Sequence, residues 1–247
     1  MADEHAARIA AALRPLGAGA DIAMPRQRLL LLCFSNRCGS NYLATLLAAT
    51  GVFNEAGEFF SADTVLEHAA ARQLGSLRAY MADLPALAAA VDPWLAAKAS
   101  VDQLMMLADA GILDDMAGRL RYVLLERRDQ LGQAISRCIA AQNGRWTNRH
   151  ASRLPDTALS YDRAAIDAEI GRVALANAGF YAFFAANGIV PVHLAYEDLI
   201  ADPSGTVASV GVALGFPDLV PDFARVAIRR QAGDVNTAWR ARYLAGG

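Results

Sequence analysis

Residues 29–34, Leu29-Leu30-Leu31-Leu32-Cys33-Phe34, form an unbroken apolar run, and the polar stretch Ser35-Asn36-Arg37-Cys38-Gly39-Ser40-Asn41 follows directly. An apolar run without alternation reads as a strand buried on both faces, as in a parallel sheet. Leu43, Leu46 and Leu47 then recur at helical spacing before Gly51, which predicts a helix beginning within two residues of Ser40. The same alternation continues along the chain. Residues 94–101 predict a strand carrying Lys98, residues 118–126 a clearer one around Tyr122-Val123-Leu124-Leu125, and residues 189–194 a further buried strand. Helical patterns fall between them, over residues 62–90 with interruptions near Gly75 and Pro85, then over 130–141 and 161–187. Tyr196-Glu197-Asp198-Leu199 begins another helix, and Asp202-Pro203 starts the next. Strands separated by long helices imply right-handed crossovers, so the expected fold is α/β, a central parallel sheet flanked by helices on both faces.

Length fits one domain over residues 1–247, in which residues 1–16 read as an amphipathic helix (Ile9, Leu13, Leu16) and the rest of 1–26 as a linker. A formal net charge of −2 argues against a general nucleic-acid binder, so any anion site must come from local arginine placement. Three cysteines, at 33, 38 and 138, have no metal-ligand spacing and read as reduced thiols. The acidic start is unlike a secretory leader, and the most apolar long window, residues 84–101, is broken by Asp92-Pro93 and Lys98. These features predict a soluble, cytoplasmic protein without a membrane span; a homodimer is left open.

Strand, tight loop and helix N-terminus together make a phosphate-binding geometry, because first-turn N–H groups converge on an anion that the helix dipole also favours. Arg37 adds a fixed positive charge there and Ser40 a hydroxyl donor. This is a P-loop-like arrangement without the lysine of the nucleoside-triphosphate loop. On its own the segment also reads as an ordinary strand-to-helix turn whose arginine is solvated. Lys98 within an apolar run requires an anionic partner, an edge position or a ligand charge. Glu55 and Glu58 lie in a glycine-punctuated loop, with Glu58 directly before Phe59-Phe60.

Four blocks in order resemble the bacterial carbohydrate sulfotransferases of the trehalose 2-sulfotransferase type. Residues 35–40 and on to Gly51-Val52 resemble that family's R-S-G-S-T loop and the A-T-G-V end of its helix. Glu58-Phe59-Phe60 matches its E-F-F. Arg127-Arg128-Asp129 through Gln133-Ala134-Ile135-Ser136 to Trp146 resembles its R-x-D, Q-A-V-S and Q-x-x-x-W block. Arg230-Gln231-Ala232 with Trp239 and Arg242-Tyr243 resembles its tail. The match covers about residues 28–243.

The resemblance implies 3′-phosphoadenosine 5′-phosphosulfate (PAPS) as donor, a sugar hydroxyl as acceptor and no metal. Arg37, Cys38, Gly39, Ser40 and Asn41 would then hold the 5′ end. Arg127, Ser136 and Arg230 would converge on the 3′-phosphate, with Arg128 as the fallback for Arg127. Trp146 would offer an aromatic face to the nucleotide, or else be core. Glu58 would be the base, with Glu55 the next candidate, or else a loop carboxylate capping a helix. Lys98, five residues before Gln103, aligns with a family lysine and would neutralise charge at the donor. Cys38 departs from the usual Ser and Asn41 from the usual Thr. The alternatives carried beside this reading are a P-loop kinase-like phosphotransferase using ATP and a degenerate, non-catalytic nucleotide-binding relative. Acceptor contacts are expected over residues 61–90; the acceptor itself, a glycan, glycolipid or small-molecule alcohol, is not legible.

Overall fold

The structure, a computed structural model, describes residues 4–13, 21–146, 151–226 and 233–246. Its sheet has four parallel strands in the order β2-β1-β3-β4: β1 is Arg28–Phe34, β2 Trp94–Ala99, β3 Leu120–Glu126 and β4 Val192–Ala195. In β1, alternate side chains feed two separate cores, which is why this run carries no polar residue after Arg28. Leu29, Leu31 and Cys33 pack against Leu77 and Tyr80 of α4 (Leu77–Leu87), Leu104 of α5 (Val101–Asp109) and Phe180 of α8 (Arg163–Ala186). Leu30, Leu32 and Phe34 face Leu43 and Leu46 of α2 (Ser40–Ala48) and Val207 of α10 (Pro203–Leu214). Helices therefore cover both faces, as the pattern implies.

The other helices are α1 (Glu4–Ala12), α3 (Ala62–Arg72), α6 (Ile112–Asp115), α7 (Gln130–Asn143), α9 (Tyr196–Ala201) and α11 (Asp234–Leu244). Those after β1 and β3 lead to opposite faces, so a crevice opens at the carboxyl ends of these neighbouring strands. That is where open α/β sheets bind ligands. Among the described residues no helix is long and apolar enough to cross a membrane.

Two expectations are corrected. Pro85 lies inside α4 and does not interrupt it. The core-facing Leu77, Tyr80, Met81 and Leu84 all precede it, and in the last turn a proline removes one N–H bond and leaves that burial intact. The buried strand expected over residues 189–194 is instead a short edge strand beginning at Val192, and Val190 is 94% exposed. Pro191 donates no ladder bond, which confines such a segment to an edge.

Candidate functional site

The polar loop after β1 is bent by two left-handed residues, Arg37 (φ 69°) and Gly39 (φ 92°). Gly39 is the N-cap of α2, and no side chain caps this helix. First-turn amides have no partner within a helix, so those of α2 are directed toward the end of the sheet where the crevice opens, with the Tyr196 ring packed against Gly39. Glycine is required here twice over. A Cβ at position 39 would stand 2.5 Å from Tyr196 Cδ2 at the start of α9, and the backbone conformation penalises any L side chain. Gly39→Ala is expected to destabilise the protein by about 1–3 kcal/mol and to displace the Tyr196 ring; denaturant unfolding measures the first effect and tyrosine fluorescence the second.

Helix α7 pins the loop from the neighbouring strand. Its Gln133 is fully buried and donates from Nε2 to Ser35 Oγ (2.9 Å) and to the Asn36 carbonyl (2.8 Å). One turn on, Ser136 Oγ accepts from Arg37 Nε at 2.9 Å, as residues three apart share a helix face. Arg37 also donates to the Trp146 carbonyl, so Trp146 meets the loop through its backbone. Burial, and next the neighbouring Arg127 charge, lower the Arg37 guanidinium from its ordinary value. Two cations near enough to oppose each other mark a place where an anion is favoured.

At the end of β3 the adjacent arginines diverge. Arg127 turns inward, its side chain 17% exposed, while Arg128 is 59% exposed and ion-paired with Asp198. The Arg127 guanidinium lies 4.8 Å from the Tyr196 ring centroid, reaches Asp129 Oδ2 only at 3.4 Å, and leaves its buried Nε without a partner among the described residues. The N-terminus of α7 is otherwise closed by carboxylates. Asp129 caps Gly132 N, and Glu197 accepts from the Arg128 and Asp129 amides at 3.1 Å each. From α11, Arg240 donates to Asp129 at 2.6 Å. Arg230 lies outside the described residues.

On the other side of β1, residues 54–58 run along the outer edge of β2. Asn54 brackets Ala96 with two hydrogen bonds of 2.8 Å, and Lys98 N donates to Gly57 O at 2.9 Å. This carries Glu58 to the end of β2, where Lys98 Nζ donates to Glu58 Oε1 (3.1 Å) and Asn41 Oδ1 (2.5 Å). The lysine is thus a buried ion pair: its side chain is 4% exposed, while that of Glu58 is 48% exposed and opens outward. Phe60 is fully buried beside it, and the Phe59 carbonyl accepts from Tyr80 Oη at 2.6 Å. Glu55 leans toward α2, 3.4 Å from Thr45 Oγ1. Cys38 points away into the core, and burial pushes its thiol up to about 12, so only its backbone is left to face a ligand.

Residues 93–246 match the family described as Stf0 sulphotransferase. The chain belongs to this family. A stretch of 137 residues is 32% identical to trehalose 2-sulfotransferase from Mycobacterium tuberculosis, covering 55% of this chain. The matched stretch spans half the length of that relative.

The family match begins after Asp92, so it covers Lys98, Arg127, Ser136 and Trp146, whereas the loop of Arg37 and the segment of Glu58 rest on geometry. Four polar contributors were missed by the sequence reading: Gln133, Tyr196, Glu197 and Asn54. Gln133 carried a readable signal, a glutamine one helical turn before Ser136 inside the block that resembles the family's Q-A-V-S. Tyr196 carried none, because its role depends on the absence of a side chain at Gly39. Among the described residues no group of three His, Cys, Asp or Glu side chains could hold a metal ion.

Proposed function

We propose that the chain transfers a sulfuryl group from PAPS to a hydroxyl of a carbohydrate or related acceptor. The observation that carries this reading is Arg37, bonded to Ser136 and opposed by Arg127 beside the uncapped N-terminus of α2. Arg37 and Arg127 come from the ends of neighbouring strands and stand close enough to oppose each other, which suits a donor carrying more than one anionic group. In this assignment the amides of residues 38–41 and Arg37 hold the phosphosulfate, while Arg127, Ser136 and Arg230 hold the 3′-phosphate and Trp146 borders the nucleotide.

As the acceptor oxygen forms its bond to sulfur, the sulfur–oxygen bond to the 5′-phosphate breaks, and adenosine 3′,5′-bisphosphate leaves. The acceptor proton passes to the Glu58 carboxylate, which faces outward where an acceptor approaches. The departing phosphate gains negative charge, so Arg37 and the loop amides stabilise the loose, in-line transition state more than the ground state. Lys98 fixes the direction of the Glu58 carboxylate through the hydrogen bond from Nζ and contributes positive charge between loop and acceptor. Asn41 spends its carbonyl on Lys98, which gives this residue a task that the usual Thr hydroxyl would share differently. The relative named for trehalose supports a sugar as the acceptor class.

Titration with adenosine 3′,5′-bisphosphate and with ATP tests the reading. Binding of the bisphosphate in preference to ATP is expected. Preference for ATP would favour a phosphotransferase, and binding of neither a non-catalytic relative.

A further inference from the structure

A second concavity lies on the face of the sheet away from α2, between α8 and the edge strand β4. It encloses about 380 Å³ and is lined by Glu126, Arg127, Asn177, Tyr181, His193 and Asp198, among others. Its volume falls within the range of small-molecule pockets, about 300–1,000 Å³. None of the contacts that shape the loop after β1 uses Asn177, Tyr181 or His193.

The polar groups here are organised. Glu126, the last residue of β3, receives both Tyr181 Oη and His193 Nε2 on the same oxygen, Oε2. The Tyr181 and His193 rings meet edge to face at 6.2 Å. That carboxylate, and then burial, push the Tyr181 phenol up to about 12, so it remains a donor. Asn177 is only 6% exposed, yet its amide oxygen has no hydrogen-bond partner among the described residues. A buried amide left unpaired costs roughly 1–3 kcal/mol, and native proteins seldom retain one without a water, ion or ligand to meet it. Arg127 Nε, on the same wall, is a buried donor in the same condition.

The chemistry of the missing partner follows from what is and is not satisfied. Charge is balanced: two carboxylates, Glu126 and Asp198, stand against Arg127 and Arg128, and Arg128 is already paired with Asp198. Neither a cation nor an anion gains net attraction. Arg127 being assigned to the 3′-phosphate, what remains open is an acceptor at Asn177 and the second oxygen of Glu126, beside a half-exposed aromatic ring. Hydroxyl groups both donate and accept, and the C–H face of a sugar ring packs on an aromatic side chain.

We propose that this cavity, around Asn177, Glu126, Tyr181 and His193, is a second binding site that takes a neutral polyhydroxylated ligand of the size of one sugar ring. The cavity shares Arg127 with the assignment of the 3′-phosphate, and the inference therefore rests on Asn177, Glu126, Tyr181 and His193, none of which that assignment uses.

Isothermal titration of the full chain with glucose, in wild type, Tyr181→Ala, Asn177→Leu and Glu58→Gln, tests it. Tyr181 is half exposed, so its truncation leaves the core intact if Asn177→Leu fails to fold. Saturable binding is expected in wild type and in Glu58→Gln, weakened at least about tenfold by Tyr181→Ala, as for loss of one well-placed contact. No saturation up to about 100 mM glucose would overturn the proposal, as the weakest useful affinities lie in the millimolar range. So would binding that Glu58→Gln abolishes and Tyr181→Ala leaves unchanged, since the sugar would then occupy the acceptor cleft. Phosphate or ammonium binding that competes with glucose would likewise overturn the neutral assignment.

Discussion

Glu58→Gln is expected to lower turnover about 10²–10⁴-fold, the usual contribution of a general base, with donor affinity nearly unchanged. The substitution is well posed because of Lys98. A glutamine at this position keeps an oxygen for the Nζ donor that now lies 3.1 Å from Glu58 Oε1, so shape and hydrogen bonding survive while basicity goes. Glu58→Ala is a poorer test: it leaves a buried ammonium with one less acceptor, and loss of fold would be confused with loss of base. Turnover and bisphosphate affinity measured on the same sample separate the two effects. Full activity of Glu58→Gln with a sugar acceptor would move the base elsewhere, with Glu55 the next residue to replace.

Arg127→Ala is expected to weaken adenosine 3′,5′-bisphosphate binding by about 1.5–3 kcal/mol, the range for charge-assisted hydrogen bonds, or about 10–150-fold. Its guanidinium has unused capacity, with Nε unpartnered and only a long contact to Asp129. Arg128→Ala is the matched control. That side chain is exposed and tied to Asp198, so its loss is expected to change affinity by less than about 0.5 kcal/mol, as at exposed ion pairs. Arg230→Ala, unlike Arg128→Ala, is expected to weaken binding by the same about 1.5–3 kcal/mol as Arg127→Ala. Calorimetric titration at two salt concentrations checks these values, since the Arg127 effect should shrink less with salt than a surface pair would. Unchanged affinity in both Arg127→Ala and Arg230→Ala would place the 3′-phosphate elsewhere.

Legibility differed from element to element for physical reasons. The run ending at Phe34 and the helix starting at Ser40 were readable because burial on both faces permits no polar interruption and a left-handed glycine ends the loop. β4 was misjudged because an edge strand with one covered face looks apolar in sequence while much of it meets solvent. The contact between Arg37 and Ser136 joins residues 99 apart; no local periodicity encodes such a meeting, and its expectation came from family resemblance. The bonds from Asn54 and Gly57 to β2 are made to backbone, which leaves almost no trace in side-chain pattern. Lys98 had left two structural readings and a functional one, and the ion pair with Glu58 satisfies the electrostatic demand whatever else the lysine does.

The segment that covers β2 also bears on the fate of molecules that open partially. β2 reads Trp-Leu-Ala-Ala-Lys-Ala and is buried throughout; bared, it would be a template for pairing with strands of other chains. Asn54 and Gly57 occupy its outer hydrogen-bonding groups, and Lys98 places an inward charge that an intermolecular sheet would have to bury unpaired. At the opposite edge, β4 is short and preceded by Pro191. The sheet is thus guarded against self-association at both margins, and the lysine assigned to charge control at the acceptor doubles as a gatekeeper against aggregation.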